Sequence, residues 1–128
     1  MDLLLDTHII LWAFGEPTRL CSRVQNAIQD PSNRLFLSVA SVWEIQVKTQ
    51  IGKLKFAVSV KDLIAVQRAT NDIQSLPLLE RHIWALASLP MHHKDPFDRL
   101  IMAQALIEGY QIVTVDPLFE QYPVRLFR

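Results

Sequence analysis

Only one cysteine, Cys21, occurs in the 128 residues. That excludes an intramolecular disulfide and any zinc site built on cysteine thiolates, and leaves Cys21 as a small core or surface residue. Net charge is missing as well: 13 basic and 13 acidic side chains balance, so no broad positive field marks the chain for nucleic acid. A nuclease survives this exclusion, because its metal ions can neutralise substrate phosphates and leave the protein to supply a local basic rim. No apolar run is long enough to span a bilayer. The opening MDLLLDTH carries an acid at position 2 and no basic n-region, so it does not read as a secretory signal, and a cytoplasmic location is expected. Internal repeats, low-complexity tracts and interdomain linkers are absent too.

What is present suits a single domain over residues 1–128, with 50% apolar and 20% charged residues arguing against disorder. A chain of this length buries roughly two-thirds of the surface its unfolded form exposes. Short apolar runs alternate with longer helical patterns, which predicts an α/β fold: a mainly parallel sheet of five strands covered by helices. The strands are expected near 3–6, 35–39, 72–78, 111–116 and 124–127, and helices near 8–14, 20–29, 40–51, 60–70, 79–88 and 96–108. Local signals set several boundaries. Ser41 and Glu44 have the spacing of a capping box, Gly109 and Pro31 stop the helices before them, and Pro96 fits the first helical position with Asp95 as its cap.

Parallel sheets bind ligands beyond the carboxyl ends of their strands. Four acids are expected there. Asp6 ends the first strand, Asp116 ends the fourth, Glu44 lies in the first turn of the helix after the second, and Asp98 lies in the first turn of the helix feeding the fourth. Any one of them is equally consistent with a turn or cap. Asp98, for instance, either reaches back to the Asp95 N–H or points forward into a site. Four together repel one another and become tolerable when divalent cations bind among them, and hard oxygen ligands suit Mg²⁺ or Mn²⁺.

Around this set, His92 and His93 are adjacent and so share no helix face, which reads as loop or rim rather than zinc ligation. His8 reads equally as a phosphate contact or a packed helix-entry residue. Lys48, four residues after Glu44, pairs with that acid or contacts phosphate. Arg99, Lys94 and Arg81 are weaker candidates for a basic rim that meets phosphate. Trp12, Phe14 and Trp43 are expected mainly in the core.

LLLDTHIILW, SVASVWEIQVK, DPFDRLIMAQAL and IVTVD, taken in that order, resemble the four acidic blocks of the PIN-domain ribonucleases, and within them the VapC-type toxins of bacterial toxin-antitoxin pairs. The resemblance spans essentially the whole chain. It assigns the acids to Asp6, Glu44, Asp98 and Asp116, with Asp95 as second choice for the third, and Thr7 and Thr114 as auxiliary hydroxyls. It implies a three-layer α/β/α sandwich, a homodimer, RNA cleavage with Mg²⁺ or Mn²⁺, and inhibition by a cognate VapB-type antitoxin. Two other classes remain: a non-catalytic module of the same fold acting through a protein partner, and a phosphoryl-transfer protein with an aspartyl nucleophile. The second lacks its usual acid two residues after Asp6, where His8 stands.

Overall fold

The computed structural model describes residues 1–128. Its strands are β1 (Asp2–Leu5), β2 (Arg34–Ser38), β3 (Ile73–Leu76), β4 (Gln111–Val113) and β5 (Leu126–Phe127). All neighbours are parallel, in the order β3-β2-β1-β4-β5. Six helices connect them: α1 (Thr7–Gly15), α2 (Ser22–Gln29), α3 (Val39–Gln50), α4 (Val60–Asn71), α5 (Glu80–Ala85) and α6 (Pro96–Glu108). Strand 111–116 proves shorter than expected, so Asp116 stands beyond β4 and caps a 3₁₀ turn at Pro117–Gln121.

The layers follow from the two-residue period of a strand. Leu3 and Leu5 of β1 join Leu35 and Leu37 of β2 in a core shared with Ile9, Val24, Ile45 and Leu63 from α1 to α4. Leu4 points the other way with Phe36 and Ile112, onto Ile101, Met102 and Ala105 of α6. Helices on both faces make the fold a three-layer α/β/α sandwich. Both faces being covered also explains why the central strands β1 and β2 read as near-continuous apolar runs. The three β1 leucines are fully buried, each contributing about 1.5–3 kcal/mol by leaving water.

From β1 the chain steps outward through β2 and β3, then crosses to the other side of β1 to lay down β4 and β5. Such a reversal opens a crevice at the carboxyl ends of the two strands on either side of it, here β1 and β4. Helix α3 begins earlier than expected, and the capping-box assignment is corrected. Ser38, the last residue of β2, is the cap, its Oγ accepting from the Ala40 N–H at 3.0 Å. Ser41 lies in the first turn, and Glu44 consequently falls one turn deeper than expected. Helix α6 keeps its expected ends. Asp95 Oδ1 accepts from the N–H groups of Phe97 and Asp98, at 2.9 and 3.4 Å, and Gly109 terminates the helix at φ 74°, a left-handed conformation that suits glycine.

Candidate functional site

Asp6 leaves β1 and turns immediately into α1. Its Oδ1 accepts from the Thr7 N–H at 2.7 Å and its Oδ2 from the Thr114 hydroxyl at 2.9 Å. Thr114 follows β4 directly, and its Oγ1 also accepts from the Asp116 N–H at 3.1 Å. One hydroxyl thus holds Asp6 and the backbone of Asp116 in register across neighbouring strands. Asp116 Oδ1 in turn accepts from the Leu118 N–H at 2.9 Å.

Glu44 is drawn in from α3. Its Oε1 accepts from the Thr7 hydroxyl at 2.8 Å and its Oε2 from Lys48 Nζ at 2.5 Å. Thr7 Oγ1 also lies 3.0 Å from Ser41 Oγ. A hydroxyl has one hydrogen and a carboxylate can only accept, so Thr7 donates to Glu44 and the Ser41 hydroxyl donates to Thr7. Glu44 is therefore turned toward α1 and buried, its side chain 3% exposed. It does not bond back to a helix cap.

Asp98 enters from α6 and has a different environment. Burial and the charges of Asp6, Asp95, Glu44 and Asp116 all oppose its ionisation, and together push its carboxyl up to about 8. Asp6 is raised as well, chiefly by burial, with the Thr114 bond and His8 pulling it partway back. The four sequence-expected acids thus share one local field, and Asp98 feels it most. Asp95 contributes charge to that field while one of its oxygens caps the helix.

The donor set is all carboxylate oxygen under mutual repulsion, which chemically fits a hard divalent cation. The side chains do not form a finished cage: nowhere do three or more Asp, Glu, His or Cys groups converge in ligating geometry. Both oxygens of Asp6 and of Glu44 are already hydrogen-bonded, and each oxygen keeps a further lone pair with which it could ligate a cation.

The other sequence candidates are placed variously. Arg99 is corrected as a rim residue: it is buried, and its guanidinium donates to the Pro90 carbonyl at 2.8 Å, bracing the loop before α6. Arg81 pairs with Glu108 at the far end of α6. His92 and His93 use their backbone N–H groups to donate to Tyr122 Oη, at 3.1 and 3.0 Å, and both rings pack on the Tyr122 ring. This ties the loop before Asp98 to the segment after Asp116. Trp43 is not core as expected but 54% exposed, edge-on to Phe97. Trp12 and Phe14 are half-buried and pack against the α1–α4 core.

Two supporting residues escaped sequence reasoning. Ser41 was read as a cap, although its partner lies 34 residues away on α1. Gln104, fully buried in α6, accepts from the Ser38 hydroxyl and donates to the Pro77 carbonyl at 3.2 Å. A lone amide inside IMAQAL was its signal, since a buried amide demands partners.

Among known proteins, Ribonuclease VapC22 of Mycobacterium tuberculosis is 28% identical over 115 residues, 89% of this chain and 86% of that protein. Among solved structures, a chain of VapBC2 from Rickettsia felis bound to a promoter DNA fragment superposes with a TM-score of 0.76 at 15% identity, covering 100% of this chain and 98% of that one. A chain of DNA-bound VapBC from Salmonella typhimurium gives 0.70 at 15% identity, covering 99% and 97%. At such identities these two establish the fold alone. The PIN domain model matches residues 3–124, from the first residues of β1 to just short of β5, and the chain belongs to the PIN-domain family.

Proposed function

We propose that this protein is a metal-dependent endoribonuclease that hydrolyses RNA phosphodiester bonds at the acid edge, and that it serves as the toxin of a type II toxin-antitoxin pair. The observation that carries the reading is the gathering of Asp6, Glu44, Asp98 and Asp116 at one edge of the sheet, tied together by the Thr7 and Thr114 hydroxyls, with Asp98 raised to about 8 by burial and its acidic neighbours. A site so overloaded with negative charge is suited to accept divalent cations. The 28% identity to a protein named as a ribonuclease, together with the PIN match, supports RNA as substrate.

Asp6, Glu44, Asp98 and Asp116 would hold the ion, Mg²⁺ or Mn²⁺ by their hard oxygen donors. When bound, it supplies Lewis-acid stabilisation of the charge that develops on the phosphodiester. The remaining work belongs to the chain. Thr7 orients Glu44, and Thr114 aligns Asp6 with Asp116. Asp98, raised to about 8, would hold a proton on its carboxyl near neutral pH in the metal-free site and would have to release it to ligate a cation. Lys48, paired with Glu44, would supply the positive charge that meets substrate phosphate.

The partner in this reading is a VapB-type antitoxin, in line with the VapBC neighbours. A groove of about 280 Å³ lined by Leu11, Trp12, Leu54 and Phe56 reaches Glu44 and Lys48, and suits an apolar antitoxin segment. Loss of antitoxin affinity in Trp12→Ala with folding intact is the expected result. A homodimer and a cytoplasmic location complete the proposal, and no helix is long and apolar enough to cross a membrane. The test is cleavage of total cellular RNA by antitoxin-free protein, with Mg²⁺ or Mn²⁺ and with chelator. Cleavage that needs metal and disappears in Asp98→Asn is expected. Cleavage indifferent to both would end the proposal.

A further inference from the structure

Metal entry at the acid edge has an intramolecular rival. Lys48 Nζ lies 2.5 Å from Glu44 Oε2, the only ion pair any of the acid-edge carboxylates makes. Of the other cations, Arg34 pairs with Asp2, Arg19 with Glu16, Arg81 with Glu108 and Arg128 with Glu120, while Lys94, just before Asp95, is exposed and makes no ion pair with the acids. Arg99 is held by Pro90, and His8, beside Asp6, is exposed. Thr7 fixes the opposite oxygen of Glu44. Lys48 therefore holds the oxygen of that carboxylate that Thr7 leaves free, beside a groove that all three residues line.

We propose that Lys48 is an exchangeable counter-ion of the site: a divalent cation takes Glu44 from it, and the displaced ammonium moves to the substrate phosphate. This rests on the reading that the acids hold a metal. Three features make the exchange feasible. The lysine side chain is 33% exposed while that of Glu44 is 3% exposed, so the ammonium can leave toward solvent and the carboxylate cannot. Lysine is a point charge on a flexible four-carbon stem, able to swing without moving its helix. The groove beside it, lined by Thr7, Glu44 and Lys48 among others, gives room for the swing.

The experiment is Mn²⁺ titration of antitoxin-free protein at fixed pH, read by electron paramagnetic resonance of the free ion, for wild type, Lys48→Met, Lys48→Arg, Glu44→Gln and the Glu44→Gln/Lys48→Met pair. Lys48→Met is expected to tighten Mn²⁺ by about tenfold, the water-screened end of the Coulomb range. Lys48→Arg should remain near wild type. In the Glu44→Gln background the same change should matter much less, because the rivalry acts through that carboxylate. Binding of a non-cleavable 2′-O-methyl oligonucleotide with Mn²⁺ present should lose about 0.7 from its salt slope in Lys48→Met, one phosphate contact on a single strand.

Lys48→Gln serves if Lys48→Met does not melt cooperatively. A folded variant whose Mn²⁺ affinity is unchanged or weaker overturns the exchange, and an unchanged salt slope overturns the delivery to phosphate. If wild type itself binds no Mn²⁺ that Asp98→Asn abolishes, the metal reading fails and takes this inference with it.

Discussion

Asp2 and Asp6 flank the same short strand and meet opposite fates. Asp2, at the start of β1, receives two bonds from the Arg34 guanidinium, each 2.7 Å, and that bond leads a shift below its ordinary value. Asp6, just past the end, is buried, and burial lifts it above the ordinary value. Helix α6 repeats the contrast: Glu108 at its end is lowered, first by Arg81, while Asp98 at its beginning is raised. Acids at one edge of the sheet are matched to cations, and acids at the other are crowded together. An isolated buried acid without such matching destabilises a fold, so the crowded edge is where a ligand is expected.

The contrast breaks most visibly in activity. Asp6→Asn or Asp98→Asn should cut metal-dependent RNA cleavage about a hundredfold or more, the scale at which losing one group that stabilises developing charge is felt. Asp2→Asn should leave cleavage unchanged. Equal losses in both would mean that the acids act through the fold, which thermal melts of the same variants would reveal.

Next comes pH. Folded Asp98 keeps its proton up to about 8, whereas the unfolded chain loses it near the ordinary value of 3.8. Between those values the native state binds more protons than the unfolded state, so Asp98 makes metal-free stability fall as pH rises through this window. The melting temperature of chelator-treated protein should decline there, and Asp98→Asn should flatten the decline and melt higher at the alkaline end. A flat wild-type profile would remove Asp98 from the crowded set.

A smaller effect is expected at the hydroxyls. Thr7→Val leaves the buried Glu44 Oε1 without its donor and should cost about 1–3 kcal/mol in urea unfolding. Because Glu44 loses its orientation as well, cleavage should fall with it. Thr7→Ser should restore both.

The least change is expected at the matched edge. Asp2 is lowered in the folded state, so its contribution is present above its ordinary value and fades as pH falls through the lowered one. Being exposed, the Asp2–Arg34 pair is also screened by salt. Melting of Asp2→Asn against wild type should differ slightly at low ionic strength and converge at high. A large difference that persists in salt would give this edge a role the contrast denies it.

The sequence exposed the central strands because β1 and β2 are buried on both faces and therefore read as apolar runs, whereas the edge strand β3, with Gln74 and Ser75 exposed, gave only a weak signal. It also marked Asp95, Pro96 and Gly109, whose roles depend only on their own backbone and immediate neighbours. It misled at α3, where Ser38 and Ser41 both offer a capping oxygen and local spacing favours the wrong one. The deciding partner, Thr7, lies on another helix 34 residues from Ser41. Arg99 and Trp43 failed for the same reason: whether a cation or an aromatic ring faces solvent is a tertiary fact. The acids themselves were legible by their positions at strand ends and helix starts. Their unfinished ligand geometry was not, because it depends on which hydroxyl or ammonium each oxygen has taken.

The Thr114–Asp6 hydrogen bond joins residues 108 positions apart, and this has a consequence for how the protein is made. Contacts of such long range form late, since the chain must close a large loop before they contribute. During synthesis the first strand leaves the ribosome long before the fourth, and Asp116 follows later still. A growing chain, or one cut short before Asp116, lacks one wall of the crevice, so the acid edge is assembled only after Thr114 and Asp116 have joined the first strand.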